Sequence, residues 1–496
     1  MTISLHSRII IVGSGVFGLT SALHLAKAGY TDISIYDRLD LLELGYTFEN
    51  GADTASADIN KVFRAFYEDK EYYHKLALQA KAHFLEWDNE LRNLDPNSLD
   101  AKAYKELKIL TPSGLVRLYD TPEIPQDEKD SLKSFENSGL RDTQFIINDP
   151  VDSERASKLG WSEKLNPADI KNNPYFEHFG GVLDSTSGLL HASSACIYVN
   201  KKLRSLGVKF YTGEEGEVTS FIEKEENGKT KIEGVVTKDG KLHKSELTVV
   251  AAGPWTASLV PELAGLSEAQ NGNVIIVKVP ENRTDLLSKY STDSFPIFIW
   301  KQGPARERDR FSGFGAFPIG GSDGYFKFIC RQKKLSNPVK IGEKVISVPI
   351  TSNSTPSELR LSKELILQVK DFIKVFFPDL VDLGIHKTAL LWYTDTINND
   401  FIIDRPPRKD NLLVVTGGSG HGFKFLPVLG QFAVDVIEGR SNTYTKIFSW
   451  RDPEEYKDIN QIGGIKFGKN DYNKEVLSES DDLVFTAKDK SDPVVL

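Results

Sequence analysis

Two glycine-rich stretches carry residues whose types and spacing could do chemistry. In the first, Gly13, Gly15 and Gly18 form the G-x-G-x-x-G pattern of GSGVFG, directly after the apolar run from Arg8 to Val12 and directly before a helical pattern. Asp37 follows about 20 residues further on, at the end of the next apolar run. That arrangement suits a dinucleotide: the first glycine makes the turn, the second lets backbone N–H groups approach a pyrophosphate, and the third lets helix and strand pack closely. Asp37 would accept a hydrogen bond from a ribose hydroxyl, and the helix N-terminus would stabilise the phosphate charge. In the second stretch, TGGSGHGFKF (Thr416–Phe425), four glycines surround His421 and Lys424 ahead of an apolar helical run. Glycines that close together cannot build a core, so they serve a tight backbone path or the close approach of a ligand. A cation at a helix N-terminus is electrostatically unfavoured, so Lys424 there points to a negatively charged group nearby.

The elements that must position these residues are a βαβ unit at the start and a strand–loop–helix unit near the end. The first comprises a strand to Val12, a helix from Phe17 to Ala28 and a second strand from Asp32 to Tyr36. An amphipathic helix is predicted over 69–94, with Leu76, Ala80, Phe84, Trp87 and Leu91 on one face. Residues 97–179 are mixed, and PQDEKDSLKSFENSG reads as a charged loop that holds no site. A helix at 194–207 leads into a strand meander, KFYTG, EVTSFIEKE, KIEGVVTKDG and SELTVVAAG. Short strands and turns over 273–350 indicate an antiparallel sheet. Residues 359–377 read as a helix, LLVVTGG as a strand and Phe425 to Glu438 as a helix stopped by Gly439. After about residue 450 the chain turns polar and acidic, as a surface wrap or partly disordered tail would.

A six-stranded NAD fold would continue with βα units after residue 40, whereas this chain moves to a long helix, a distant second portion and an antiparallel region. The split arrangement favours FAD. The chain has 496 residues and a formal net charge of -9, which argues against nucleic acid or an anionic membrane as the main partner. Two cysteines far apart, Cys196 and Cys330, make neither a disulfide framework nor a clustered metal site, so no metal is expected. No secretory signal, transmembrane run or SKL-type C-terminus is visible, and a cytoplasmic or peroxisomal protein, monomeric or weakly self-associating, is expected.

Four segments together resemble the D-amino-acid-oxidase-like flavoproteins, within them the sarcosine, pipecolate, saccharopine and fructosyl-amino-acid oxidases. They are VGSGVFGLTSALHLAKAGY, DINKVFRAFY, SGLLHASSAC with TVVAAGPW, and LLWYTDTINNDFIIDRPP leading to TGGSGHGFKFLPVLG. The resemblance implies an α/β fold: a Rossmann-like FAD domain built from split segments (1–95, 176–262 and 391–450), an α+β substrate domain with an antiparallel sheet (96–175 and 263–390), and a polar acidic tail (451–496). It also implies that FAD is held by Gly13, Ser14, Gly15, Val16, Phe17, Gly18, Asp37, Arg38, Lys61, Gly253, Gly420, His421, Gly422, Phe423 and Lys424. Lys424 and Arg64 are expected to hold a substrate carboxylate, Arg64 through the planar fork that suits bidentate recognition. By residue type alone, Lys61 and Arg64 read as solvated basic residues on a helix start. His421 is expected to donate a hydrogen bond to the flavin or to line the site, and Trp392, Tyr393 and Thr394 to form its wall. The implied chemistry is oxidation of the C–N bond of an N-substituted L-amino acid, a fructosyl amino acid or saccharopine in preference to sarcosine or pipecolate, to an imine that water hydrolyses, with oxygen reduced to hydrogen peroxide. Neutral amine suffices for hydride removal, so no general base is named.

Two positions depart from the family's pattern. Where many relatives attach FAD to a cysteine, this chain has Leu391, and FAD is expected to be non-covalent. Where several relatives carry a lysine that helps oxygen react, QNGNVIIVK places Asn273, with Lys278 several residues late. An amine dehydrogenase that uses another acceptor is therefore an alternative, as is a flavin-binding protein without catalysis. ARERDR (305–310) reads as either a cationic pocket rim or a solvated loop.

Overall fold

The computed structural model describes residues 3–94, 104, 107–301, 313–331, 333–351, 361–456, 461–462, 465–466 and 470–494. ARERDR lies outside the described residues. Ile9–Val12 is buried along its whole length, and a strand with no polar face belongs inside a covered parallel sheet. It pairs in parallel with Ile33–Asp37 on one side and Leu247–Val250 on the other. The complete order is Ile402–Asp404, Leu412–Thr416, Leu247–Val250, Ile9–Val12, Ile33–Asp37 and Lys209–Thr212, with only Ile402–Asp404 antiparallel. Strands from the start, middle and end of the chain thus lie side by side. Val12, Val250 and Val414 are in register, so the glycine turns that follow them gather at one edge.

A second, eight-stranded sheet runs Lys387–Thr396, Ser267–Lys278, Tyr325–Cys330, Phe314–Phe317, Ile297–Trp300, Leu115–Tyr119, Gly180–Asp184 and Gln144–Ile146. It is antiparallel except between Ile297–Trp300 and Leu115–Tyr119. One face buries Phe298, Phe314, Phe326 and Phe328 in a core shared with Phe372 and Phe376 of the Lys363–Phe376 helix. Alternation along a strand turns the intervening residues to the opposite face. There Ile299, Phe317, Lys327, Ile329 and Arg331 roof a cavity over the parallel sheet.

Four sequence-based expectations change. PQDEKDSLKSFENSG is not a loop but contains the helix Gln126–Asn137, whose inward face carries Glu128, Ser131, Leu132 and Phe135. Its apolar stripe is hidden because a charged residue anchors it: Glu128 pairs with the fully buried Arg117 at 2.6 Å, and Tyr119 Oη donates to Glu128 at 2.7 Å. The meander loses its first and last strands to the parallel sheet, leaving Val218–Glu226, Leu242–Lys244 and, between them, Lys229–Thr237. The expected helix from Phe425 is a 3-10 turn at Phe423–Phe425, and regular helix begins only at Gly430. A Cβ on Gly430 would lie 2.0 Å from Thr20 O, so this helix start packs against Val16–Lys27 and is not part of the cavity lining. Lys61 and Arg64 are on no helix: Lys61–Phe63 is a short strand and Arg64 follows it. The described part of the tail packs beside the eight-stranded sheet and the Lys363–Phe376 helix, where Lys370 pairs with Asp489 at 2.7 Å and Tyr472, Phe485 and Val494 enter the core. Among the described residues no helix is long and apolar enough to cross a membrane.

Removing one partner of a buried ion pair leaves the other charge uncompensated. Glu128→Gln should therefore destabilise the protein by about 3–5 kcal/mol, and adding Arg117→Met should recover much of the loss. Denaturant midpoints of the three proteins check this.

Candidate active site

A cavity of about 1030 Å³ runs between the two sheets, from the turn after Val12 to the Gly417–Lys424 loop. At its dinucleotide end, Gly13 has φ +105 and its absent Cβ would meet Ala251 O at 2.5 Å. A Cβ on Gly18 would meet Gly13 O at 1.8 Å, so only glycine lets the helix sit on the turn. The Val16–Lys27 helix has no acidic residue in its first turn, leaving its positive end open to an anion. Gly13, Gly15, Val16, Phe17, Asp37, Arg38 and Gly253 line this end. Ser14 and Gly18 stand behind it. Asp37 was expected to face a ribose, yet three of its roughly four acceptor positions are taken: by Ser14 N at 2.7 Å, Ser14 Oγ at 2.8 Å and Leu39 N at 3.0 Å.

The other end gathers cations. Lys424 is 3% exposed, and its ammonium donates to Tyr67 Oη at 2.8 Å and to the His421 carbonyl at 2.9 Å. Both partners are neutral, and burial, then Arg64 and Arg331 nearby, hold its pKa well below the ordinary lysine value. The Arg64 guanidinium lies over Phe66 and Tyr67, 4.5 and 4.4 Å from the ring centroids, and donates to Phe66 O. His421 lines the cavity, but its ring has no donor to spare for a flavin. Nε2 lies 3.0 Å from the Asn399 carbonyl, which only accepts, so Nε2 carries the hydrogen and Nδ1 accepts from Tyr67 Oη at 3.1 Å. Burial, followed by Lys424, lowers the His421 pKa far below its usual value, so the ring stays neutral. Tyr67 is the hinge of this relay and was missed as a site residue, although it ends the DINKVFRAFY segment. Gly420, with φ +67, Gly422, Phe423 and the wall residues Tyr393 and Thr394 also line this end, whereas Trp392 is buried in the core behind it.

The roof supplies further residues that sequence reasoning missed. Asn273 does not reach into the cavity as a free side chain; its amide bridges to the backbone of Cys330, donating to O at 2.6 Å and accepting from N at 2.8 Å. The buried roof lysine is Lys327, bound to both oxygens of Asp58 at 3.2 and 3.1 Å and to Asn60 O at 2.8 Å. Burial draws Lys327 down to about 8 against the pull of Asp58. Burial alone would raise the Asp58 carboxyl, but Lys327 and Lys61 hold it below its ordinary value. Lys61 reaches this cluster through Asp58 Oδ2 at 2.9 Å. The signal lay in YFKFICR, where basic Lys327 and Arg331 alternate with the core residues Phe326, Phe328 and Cys330.

Residues 8–436 match the DAO family, described as FAD dependent oxidoreductase. The chain belongs to this FAD-dependent oxidoreductase family. L-saccharopine oxidase of Schizosaccharomyces pombe is 26% identical over 469 residues, covering 91% of this chain and 94% of that protein. N-methyl-L-tryptophan oxidase of Salmonella typhimurium is 25% identical over 439 residues, covering 88% and 96%. Fructosyl amine: oxygen oxidoreductase (Amadoriase I) of Aspergillus fumigatus superposes with a TM-score of 0.70 at 21% identity, over 97% of this chain and 98% of that one. A modified fructosyl peptide oxidase of Aspergillus nidulans gives 0.73 at 22% identity, over 95% and 98%.

The cavity of this FAD-dependent oxidoreductase fits its cofactor. Besides the glycine cradle, the buried atoms Arg38 Nη2, Asn60 Oδ1 and Thr394 Oγ1 lack hydrogen-bond partners among the described residues, and all three residues line the cavity. Buried polar atoms left unpaired are unfavourable, and a polar ligand would satisfy them. The Gly13–Phe17 turn with Arg38, stacked 4.3 Å over Trp255, would hold the phosphate and nucleotide part, and Thr394, Asn60 and the Gly420–Lys424 loop the ring. Leu391 lines the cavity where a cysteine would be needed for attachment, Cys196 is buried in the core beneath the parallel sheet, and Cys330, though it contributes to the cavity lining, is 3% exposed and packs in the core of the eight-stranded sheet. Acid precipitation should therefore release the yellow colour to the supernatant, and Gly18→Ala should lower FAD content; absorbance of pellet and supernatant reads both.

Proposed function

We propose that this chain oxidises the carbon–nitrogen bond of an N-substituted L-amino acid and passes the electrons to oxygen, giving an imine and hydrogen peroxide. The observation that carries the reading is the pairing of Lys424 and Arg64 on one cavity wall without a carboxylate partner among the described residues. A cation buried against neutral oxygens is strained until an anion arrives, and an amino-acid carboxylate is such an anion. Bound FAD supplies the two-electron acceptor. The protein's part is to seat the carboxylate, to hold the amine beside the ring and to keep water out. The same cations disfavour a protonated amine, so the substrate nitrogen binds with its lone pair free and no general base is required. Tyr67 fixes Lys424, and His421 fixes Tyr67. The names of the two oxidases reported above support a secondary amino acid as substrate class.

Lys424→Met and Arg64→Met should each weaken substrate binding about 10- to 100-fold while the protein stays yellow. Lys424 attracts a carboxylate only while protonated, and its pKa is lowered. Affinity should therefore fall as pH rises through that lowered value, earlier than an exposed lysine would give. Titrating flavin absorbance anaerobically at several pH values checks this, and affinity that stays flat into the alkaline range would count against the assignment.

An amine dehydrogenase is the second reading, favoured by Asn273 at the position where the resemblance expects lysine. Lys327 supplies a buried cation on the adjacent strand, and an electrostatic role for it in the oxygen step follows. Lys327→Met should slow reoxidation by air about 10-fold or more while leaving anaerobic bleaching by substrate much less affected. Equal effects on both half-reactions would remove Lys327 from that step.

A further inference from the structure

The substrate end of the cavity holds more positive charge than one amino-acid carboxylate can balance. Arg64, Lys301, Arg331 and Lys424 all line it, and among the described residues none of the four makes an ion pair. Apart from Arg38 at the dinucleotide end, the other lining cations have carboxylate partners: Lys61 and Lys327 share Asp58, Lys333 pairs with Glu364 and Glu475, and Lys334 with Asp395 at 2.6 Å. The carboxylates that act on the four, Glu128 and Glu68 on Lys301 and Asp395 on Arg331, form no ion pair with them among the described residues.

Arg331 stands apart from the Arg64–Lys424 pair in how it is held. It continues the Tyr325–Cys330 strand on the cavity face and is exposed to the cavity. Its guanidinium rests on the bare backbone of Gly420, where a Cβ would lie 2.0 Å from Nη2 and 2.5 Å from Cζ. Tyr393 Oη lies at 3.5 Å, and the Arg331 Cζ is 5.6 Å from the Tyr393 ring. Asp395, the acidic residue on that wall strand, accepts from Lys334 through Oδ2 and supports the Arg331 charge without forming an ion pair with it. A planar fork in the cavity lining, fixed between a glycine loop and a tyrosine, is suited to a carboxylate. The Arg64–Lys424 pair is already assigned to the amino-acid carboxylate.

We propose that Arg331 binds a second carboxylate, carried by the substituent on the substrate nitrogen. The substrate class is then an N-(carboxyalkyl) amino acid, in preference to N-methyl, cyclic or sugar-substituted amino acids. This rests on the reading of the site as an oxidase of secondary amino acids, and it names which of them the charge pattern selects. Lys301, which lines the cavity and interacts with Arg64, adds to the same field and favours a substrate of two or more negative charges.

The test uses the FAD-loaded protein and a pair of compounds equal in shape and different in charge: N-(3-carboxypropyl)-L-alanine and its amide, N-(3-carbamoylpropyl)-L-alanine. Anaerobic bleaching gives the rate and affinity for each, and glutarate against its monoamide gives binding alone from the shift of the flavin spectrum. The acid should be favoured over the amide by about 10- to 100-fold, and glutarate should bind more tightly than its monoamide. In Arg331→Gln that selectivity should collapse towards one, and in Arg331→Lys it should be partly kept. Equal use of acid and amide by the unaltered protein would overturn the proposal without needing any variant, and so would undiminished selectivity in Arg331→Gln. Bleaching by sarcosine or pipecolate but by neither alanine derivative would overturn it while leaving the broader oxidase reading standing. Bleaching by no secondary amino acid would overturn both.

Discussion

Lys424 is a cation held in a cavity wall by two neutral oxygens, and keeping it there constrains much of the surrounding structure. A buried ammonium with no counter-charge is unstable, so its donors must be satisfied and its position fixed. Tyr67 does both, and Tyr67 is held in turn by His421, whose ring is pinned by the Asn399 carbonyl and stacks on Phe401 at 4.8 Å. The loop can follow this path because Gly417, Ser419 and Gly420 adopt positive φ. The chain therefore accepts local strain and an uncompensated charge at one point, as binding sites commonly do.

The roof sheet solves a related problem by alternation. Its strands must bury a phenylalanine-rich face against the Lys363–Phe376 helix and present charge to a cavity on the other. Period-two geometry separates the two demands within single strands, as in Phe326–Lys327–Phe328. The same device appears at the back of the site, where Phe66 lies between Arg64 and Arg117, 4.5 and 3.9 Å from its ring centroid. Arg117 is neutralised by Glu128 and serves stability, whereas Arg64 has no such partner among the described residues and lines the cavity. Residue type does not distinguish these two arginines; the presence or absence of a carboxylate at hydrogen-bond distance does.

Local patterns were legible wherever one short stretch decides the outcome. GSGVFG between an apolar run and a helical one specifies a turn that only glycines can make, and the βαβ opening follows from it. The cluster of glycines around His421 and Lys424 marked a place of close approach, and the resemblance added Arg64. The helix at Gln126–Asn137 was not legible, because its inward face is anchored by Glu128, a residue type that reads as solvent-facing until Arg117 is seen beneath it. The helix start at Gly430 was misplaced because its boundary is set by contact with Thr20, some four hundred positions away in sequence.

By itself the sequence determined the dinucleotide turn, the split α/β plan and the residue types available for an anionic substrate, since these depend on neighbours along the chain. Only the tertiary structure decided which cations remain unpaired. That turns on distances between residues far apart in sequence: Lys424 to Tyr67, Lys327 to Asp58, Lys334 to Asp395, and Arg331 to the backbone of Gly420. A charge is available to a ligand when the fold brings it no partner, and that property belongs to the packed chain.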